Sequence, residues 1–161
     1  QAQNRAERAA RDSGLPTNNM EFYLAYPEDL MAAGLGTATV DIAFVNSVLH
    51  LTCHPNDVLA ELYRVLKPGG LLVCEVALAD APRNPDVVEA ARKLGNSIQS
   101  APNRAEFEDI LHALGFELSV AVDPRAIQPD VGFKADHHVP CAPTDESVGF
   151  NALVLHARKR V

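Results

Sequence analysis

Three groups of side chains in this sequence could do chemistry. Asn46, Ser47 and His50 follow directly on an apolar run, Val40-Asp-Ile-Ala-Phe-Val45. An imidazole titrates near neutrality, so His50 is a candidate general base. The competing reading is a packed loop histidine with no proton to move. The segment Tyr26-Pro27-Glu28-Asp29 sets two carboxylates side by side. They either accept hydrogen bonds from a ligand or only place negative charge at a helix N-terminus. Cys53-His54 and His137-His138-Val-Pro-Cys141 offer thiolate and imidazole donors. Their spacing matches no zinc pattern, so no metal site is expected and solvated loop is the preferred reading. Cys74 lies inside an apolar run and reads as a small core residue.

The elements that must position these residues follow from periodicity and breakers. A helix over Gln1–Arg11 ends at Asp12-Ser13-Gly14, where glycine suits a left-handed cap. Glu21–Ala25 is a short strand, and Pro27–Ala33 forms one or two helical turns cut off by Gly34 and Gly36. Val40–Val45 is a strand apolar enough to be buried on both faces. Pro55–Leu66 is a helix with Val58, Leu62 and Val65 on one side. Lys67-Pro68-Gly69-Gly70 is a turn, and Leu71–Ala77 is the next strand. Helices follow over Pro85–Leu94 and Asn103–Leu114, the second with Asn103 as cap. Phe116–Val122 alternates as a strand, 123–148 is irregular, and Phe150–Ala157 is a final strand. Strands alternating with helices argue for a mostly parallel sheet covered by helices, with one of the last two strands antiparallel.

Composition bounds the partners. The 161 residues are 47% hydrophobic and 22% charged, which suits one globular domain. Fourteen basic residues against 21 acidic give a net charge of −7. An acidic domain is not built to grip a phosphate backbone, so no nucleic-acid partner is expected. No apolar run is long enough to cross a bilayer, and no basic-then-apolar leader opens the chain. Three cysteines do not make a disulfide framework, so a reducing, cytoplasmic setting is expected.

The run Val40-Asp-Ile-Ala-Phe-Val-Asn-Ser-Val-Leu-His50, then Val58-Leu-Ala-Glu-Leu-Tyr-Arg-Val-Leu-Lys-Pro-Gly-Gly70, then Leu71-Leu-Val, resembles the class I methyltransferases that use S-adenosylmethionine. Glu21-Phe-Tyr-Leu-Ala-Tyr-Pro-Glu-Asp-Leu30 is similar to the segment after that family's third strand, in the form found in its arsenite-methylating branch. The resemblance covers residues 1–122 and the final strand. It implies a Rossmann-like α/β sheet of order 3-2-1-4-5-7-6, mostly parallel with one antiparallel strand near the C-terminus. It also implies methyl transfer from S-adenosylmethionine to a small molecule. Tyr26, Pro27, Glu28 and Asp29 would then surround the adenine, Asn46 and Ser47 would also touch the cofactor, and Asn46 and His50 would be catalytic.

The departures are as informative. Tyr26 stands where the family commonly has an acid, and Ser47 where the arsenite branch carries a cysteine. The family's strands 1 and 2 and its glycine loop would precede Gln1 and are absent from these residues. The one Gly-x-Gly, Gly34-Leu35-Gly36, lies ahead of a strand rather than after one and reads as a turn. The helix at Gln1 also opens without a cap. Residues 1–161 are therefore expected to form a single, N-terminally incomplete domain that does not bind the cofactor alone. Two missing strands, each about 4.8 Å wide, would leave the edge at Val40–Val45 bare. Three outcomes are open: an upstream segment fills the gap, Glu21–Ala25 slides in to pair, or a second copy pairs there as a homodimer. The alternative function is a non-catalytic methyltransferase-like module that binds another protein through that edge.

Overall fold

The computed structural model describes residues 2–14, 16, 20–128, 139–140 and 147–161. Among the described residues four strands form one sheet in the order β1-β2-β4-β3: β1 is Val40–Asn46, β2 Leu66–Ala79, β3 Phe116–Ile127 and β4 Phe150–Lys159. This is the 4-5-7-6 half of the order that the resemblance implies. β1 pairs parallel to β2, with Ile42 opposite Leu71 and Asn46 opposite Glu75. β4 is antiparallel to both β2 and β3. Three strands thus point one way and β4 alone is reversed, although two of the three pairings are antiparallel. A parallel neighbour needs a crossover, and α2 (Pro55–Val65) supplies it between β1 and β2.

Two helices pack on one face of the sheet. Along β2, Leu72, Cys74, Val76 and Leu78 alternate into this face and are each at most 1% exposed. They meet Val58 and Leu59 of α2, and Phe107 and Leu111 of α4 (Arg104–Leu114). The Asn103 side chain caps α4 by accepting from the amides of Ala105 and Glu106 at 3.0 and 3.3 Å. Asn84 does the same for α3 (Pro85–Lys93), accepting from Asp86 N at 2.9 Å. Gly115 ends α4 at φ 102°, with Tyr63 Oη only 2.8 Å from where a Cβ would stand. Tyr63 in turn sits edge-on to Phe116 at 5.0 Å.

Four expectations need correction. Glu21–Ala25 has no ladder partner among the described residues and is no strand. A strand exists through its partner's hydrogen bonds, and this segment does not slide in beside β1. Residues 27–33 form turns rather than a helix; Gly34 N closes on Met31 O at 2.8 Å before a helix could propagate. β1 is not buried on both faces: Ile42 and Phe44 are each 63% exposed, because nothing among the described residues covers the sheet face opposite the helices there. Lys67–Gly70 lies inside β2, as an excursion between the pairs Val40–Leu66 and Ile42–Leu71, with Gly69 at φ 76°. The outer strands also extend further than expected. β3 passes through Pro124 because the ladder skips that stretch between Val122 and Arg125. The first helix, α1, spans Ala2–Asp12, as its composition suggests.

Candidate functional site

Asn46 is the last residue of β1, and the chain turns at once. Ser47 takes a left-handed φ of 52° and donates its amide to Glu75 O at 2.8 Å. A non-glycine residue held in this region costs of order 1–3 kcal/mol. The turn leads into a short 3-10 segment, Leu49–Leu51.

His50 lies in that segment and is only 4% exposed. Burial pushes its pKa down to about 4; the Ala77 carbonyl, which accepts from the ring, works the other way, and the Arg92 charge adds to the lowering. The imidazole is therefore neutral, with the edge of Phe107 at 5.6 Å. Its Nε2 has no partner among the described residues. Arg92 Nε donates to the His50 carbonyl at 3.2 Å and fixes the segment to α3.

The second group, Tyr26–Asp29, forms a turn closed by Asp29 N donating to Tyr26 O at 3.0 Å. Asp29 Oδ1 accepts from Ala32 N at 3.1 Å. Two residues that the sequence reading missed hold this turn in place. Glu61 on α2 accepts from Leu30 N at 2.9 Å, and Arg64 pairs with Glu61 while donating to Leu35 O at 3.0 Å. The Arg64 hydrogen bond keeps the Glu61 carboxyl below its usual range. Their i, i+3 spacing on a helix was the available signal. Gly34–Gly36 belongs to this anchored turn, as read from its context.

A cleft of about 430 Å³ opens beside the turn, lined by Leu24, Ala25, Tyr26, Asp29 and Ala32. Apolar walls with one carboxylate at the rim suit a flat heteroaromatic ring bearing an amine. One oxygen of the neighbouring Glu28 is buried without a partner among the described residues. The segment thus fits the adenine of a nucleoside cofactor. Pro27 and Glu28 flank the lining. Asn46, Ser47 and His50 are not part of it, so the structure brings Tyr26 and Asp29 together and leaves the other group separate.

A polar cleft of about 320 Å³, unforeseen from sequence, lies where β2 ends, between Asp80, Asn103, Arg104, Glu108 and Asn151. Arg104 and Glu108 pair across one helical turn at 2.7 Å. Among the described residues no cluster of three metal-ligand side chains exists. Cys53 is exposed. Cys74 is buried, which pushes its thiol up to about 12. His137, His138 and Cys141 lie outside the described residues. No helix among the described residues is long and apolar enough to cross a membrane.

Comparison with known proteins finds similar sequences and folds. A family model described as a methyltransferase domain matches residues 1–74. An arsenite methyltransferase of Aquipseudomonas alcaligenes is 30% identical over 110 residues, covering 68% of this chain and 30% of the relative. The crystal structure of an arsenic(III) S-adenosylmethionine methyltransferase from Chlamydomonas reinhardtii superposes with a TM-score of 0.76 at 25% identity, over 94% of this chain and 48% of that one. The YcgJ protein of Bacillus subtilis shares the fold at 19% identity, with a TM-score of 0.62 over 96% of this chain and 76% of its own. The chain thus spans under half the length of the two arsenic methyltransferases it matches. Its strand order and its α2 crossover are those of the class I S-adenosylmethionine-dependent methyltransferases, and the chain shares their fold and their sequence pattern.

Proposed function

We propose that this chain provides the adenine-facing and acceptor-facing half of a methyltransferase acting on a small molecule. The observation that carries the reading is the Leu24–Ala32 cleft, an apolar slot with Asp29 on its rim and the unpartnered Glu28 oxygen beside it. In this reading Leu24, Ala25 and Tyr26 wall the adenine, Pro27 stiffens the approach, and Glu28 or Asp29 accepts from its exocyclic amine. When bound, S-adenosylmethionine supplies an electrophilic methyl group on a sulfonium.

Asn46 and Ser47 terminate the parallel strand β1, where ligands of open α/β sheets gather. Asn46 offers an amide that orients the acceptor for in-line attack, and orientation is the main demand of such a displacement. Ser47 supports the cofactor side of the same turn. His50 is shut from solvent, so its part is to hold the Asn46–Ser47 turn from beneath, as a neutral positioning residue. Among the described residues no glycine loop follows a strand, so this reading assigns the cofactor's amino-acid end to other residues. Two relatives carry arsenic methylation in their names, which makes trivalent arsenic the first acceptor to try. Ser47 offers a hard donor where a thiol would suit that ion.

Ultraviolet crosslinking of methyl-labelled S-adenosylmethionine to the gene product that carries this chain tests the reading. Label is expected on the peptide containing Tyr26–Asp29. Label placed elsewhere, or none, would overturn it. A second reading, a non-catalytic interaction module, is favoured by one observation: Ile42 and Phe44 lie bare on the β1 face. It predicts partner capture without crosslinking.

A further inference from the structure

A small cavity of about 70 Å³ lies beneath α3, with His50, Leu59, Arg92, Ser100, Phe107 and Ile110 in its walls. Two of these residues carry buried polar atoms without a hydrogen-bond partner among the described residues, His50 Nε2 and Ser100 Oγ. His50 is 4% exposed and Ser100 1%. Leaving a buried polar group unsatisfied costs about 1–3 kcal/mol, so two in one cavity call for an occupant. Its chemistry is constrained from both sides. The Ala77 carbonyl takes the other ring proton, which leaves Nε2 as a bare lone pair that needs a donor. That lone pair disfavours an anion, and Arg92 in the wall disfavours a cation. The volume admits only a few heavy atoms.

We infer that this cavity is an internal hydration site, in which a water molecule donates one hydrogen to His50 Nε2 and bonds Ser100 Oγ. The walls are mostly apolar, but the two unpartnered polar side chains among them give a cavity of this size the pair of partners that a buried water needs. The water ties the segment after β1 to the 99–102 segment. Arg83 grips that segment by donating to Gln99 O at 2.9 Å and Ala101 O at 2.7 Å. Asn96 Oδ1 secures it further by accepting from Gln99 N at 3.0 Å. The inference does not depend on methyl transfer.

The test is a high-resolution crystal structure together with long-range proton–nitrogen NMR of the His50 ring. The expected result is an ordered water within hydrogen-bond reach of both atoms, with the ring proton on Nδ1. A Ser100→Val variant should lose the water, because its side chain fills the space and offers no hydroxyl. If that variant does not fold, Ser100→Ala should keep the ring proton on Nδ1 while the water loses order. A dry cavity, a direct Ser100–His50 bond, or a ring proton on Nε2 would each overturn the proposal.

Discussion

His50 is the residue at which burial changes the chemistry most. Its folded pKa of about 4 lies below the ordinary 6.5. Between these values the unfolded chain binds more protons than the folded one, so stability falls as the pH drops. The His50 contribution is complete above pH 6.5 and is lost as the pH approaches 4, amounting to on the order of 3 kcal/mol. Urea unfolding of the native chain should therefore show a steeper loss between pH 6.5 and 4 than the His50→Asn variant shows. Equal slopes would mean that the imidazole is not held neutral. Sequence could mark His50 as chemically capable but not as buried, since its burial comes from Phe107 and Arg92, over 40 positions away. Asp29 caps Ala32 within a turn where a helix N-terminus was expected, and it also lines the cleft.

At the level of elements, the long periodic helices and β1 were legible because their signals are local. Asn103, Phe107 and Leu111 announce α4 within a dozen residues. Glu21–Ala25 was not, because β propensity cannot provide a partner strand. What holds the region from Tyr26 to Gly36 is the Glu61–Arg64 pair on α2. A Glu61→Ala variant should remove the hydrogen bond to Leu30, worth about 1.5 kcal/mol for a charged acceptor. Amide hydrogen exchange at Leu30 should then speed up roughly tenfold, while α4 amides stay unchanged. Unaltered exchange at Leu30 would show that α2 does not anchor the cleft.

At the scale of the whole molecule, the sheet is dressed on one face and bare at β1 on the other. Ile42 and Phe44 expose apolar surface beside an edge whose backbone has no ladder partner among the described residues. Edges of this kind pair with other chains unless covered. The chain should self-associate with rising concentration in analytical ultracentrifugation, and Phe44→Lys should shift it toward monomer without lowering its melting temperature by more than a few degrees. A strictly monomeric native chain would contradict this. The strand order was foreseeable through the family resemblance carried by Val40–His50 and Val58–Val73, and the crossover from the alternation of strand and helix. The open face was foreseeable only through the resemblance, whose sheet order sets a further strand beside β1, and the polar cleft at Asp80 and Asn103 not at all, because it joins residues from three distant segments.

The central claim is that these residues hold the adenine end of S-adenosylmethionine and little else of it. Amide shift mapping by NMR, with S-adenosylmethionine titrated into the 161-residue chain, tests it most directly. The account predicts fast-exchange shifts concentrated at Leu24–Ala32 and Asn46–Ser47, with a Kd of roughly millimolar order, −4.1 kcal/mol. Micromolar saturation, or shifts that avoid the Tyr26–Asp29 turn, would contradict it.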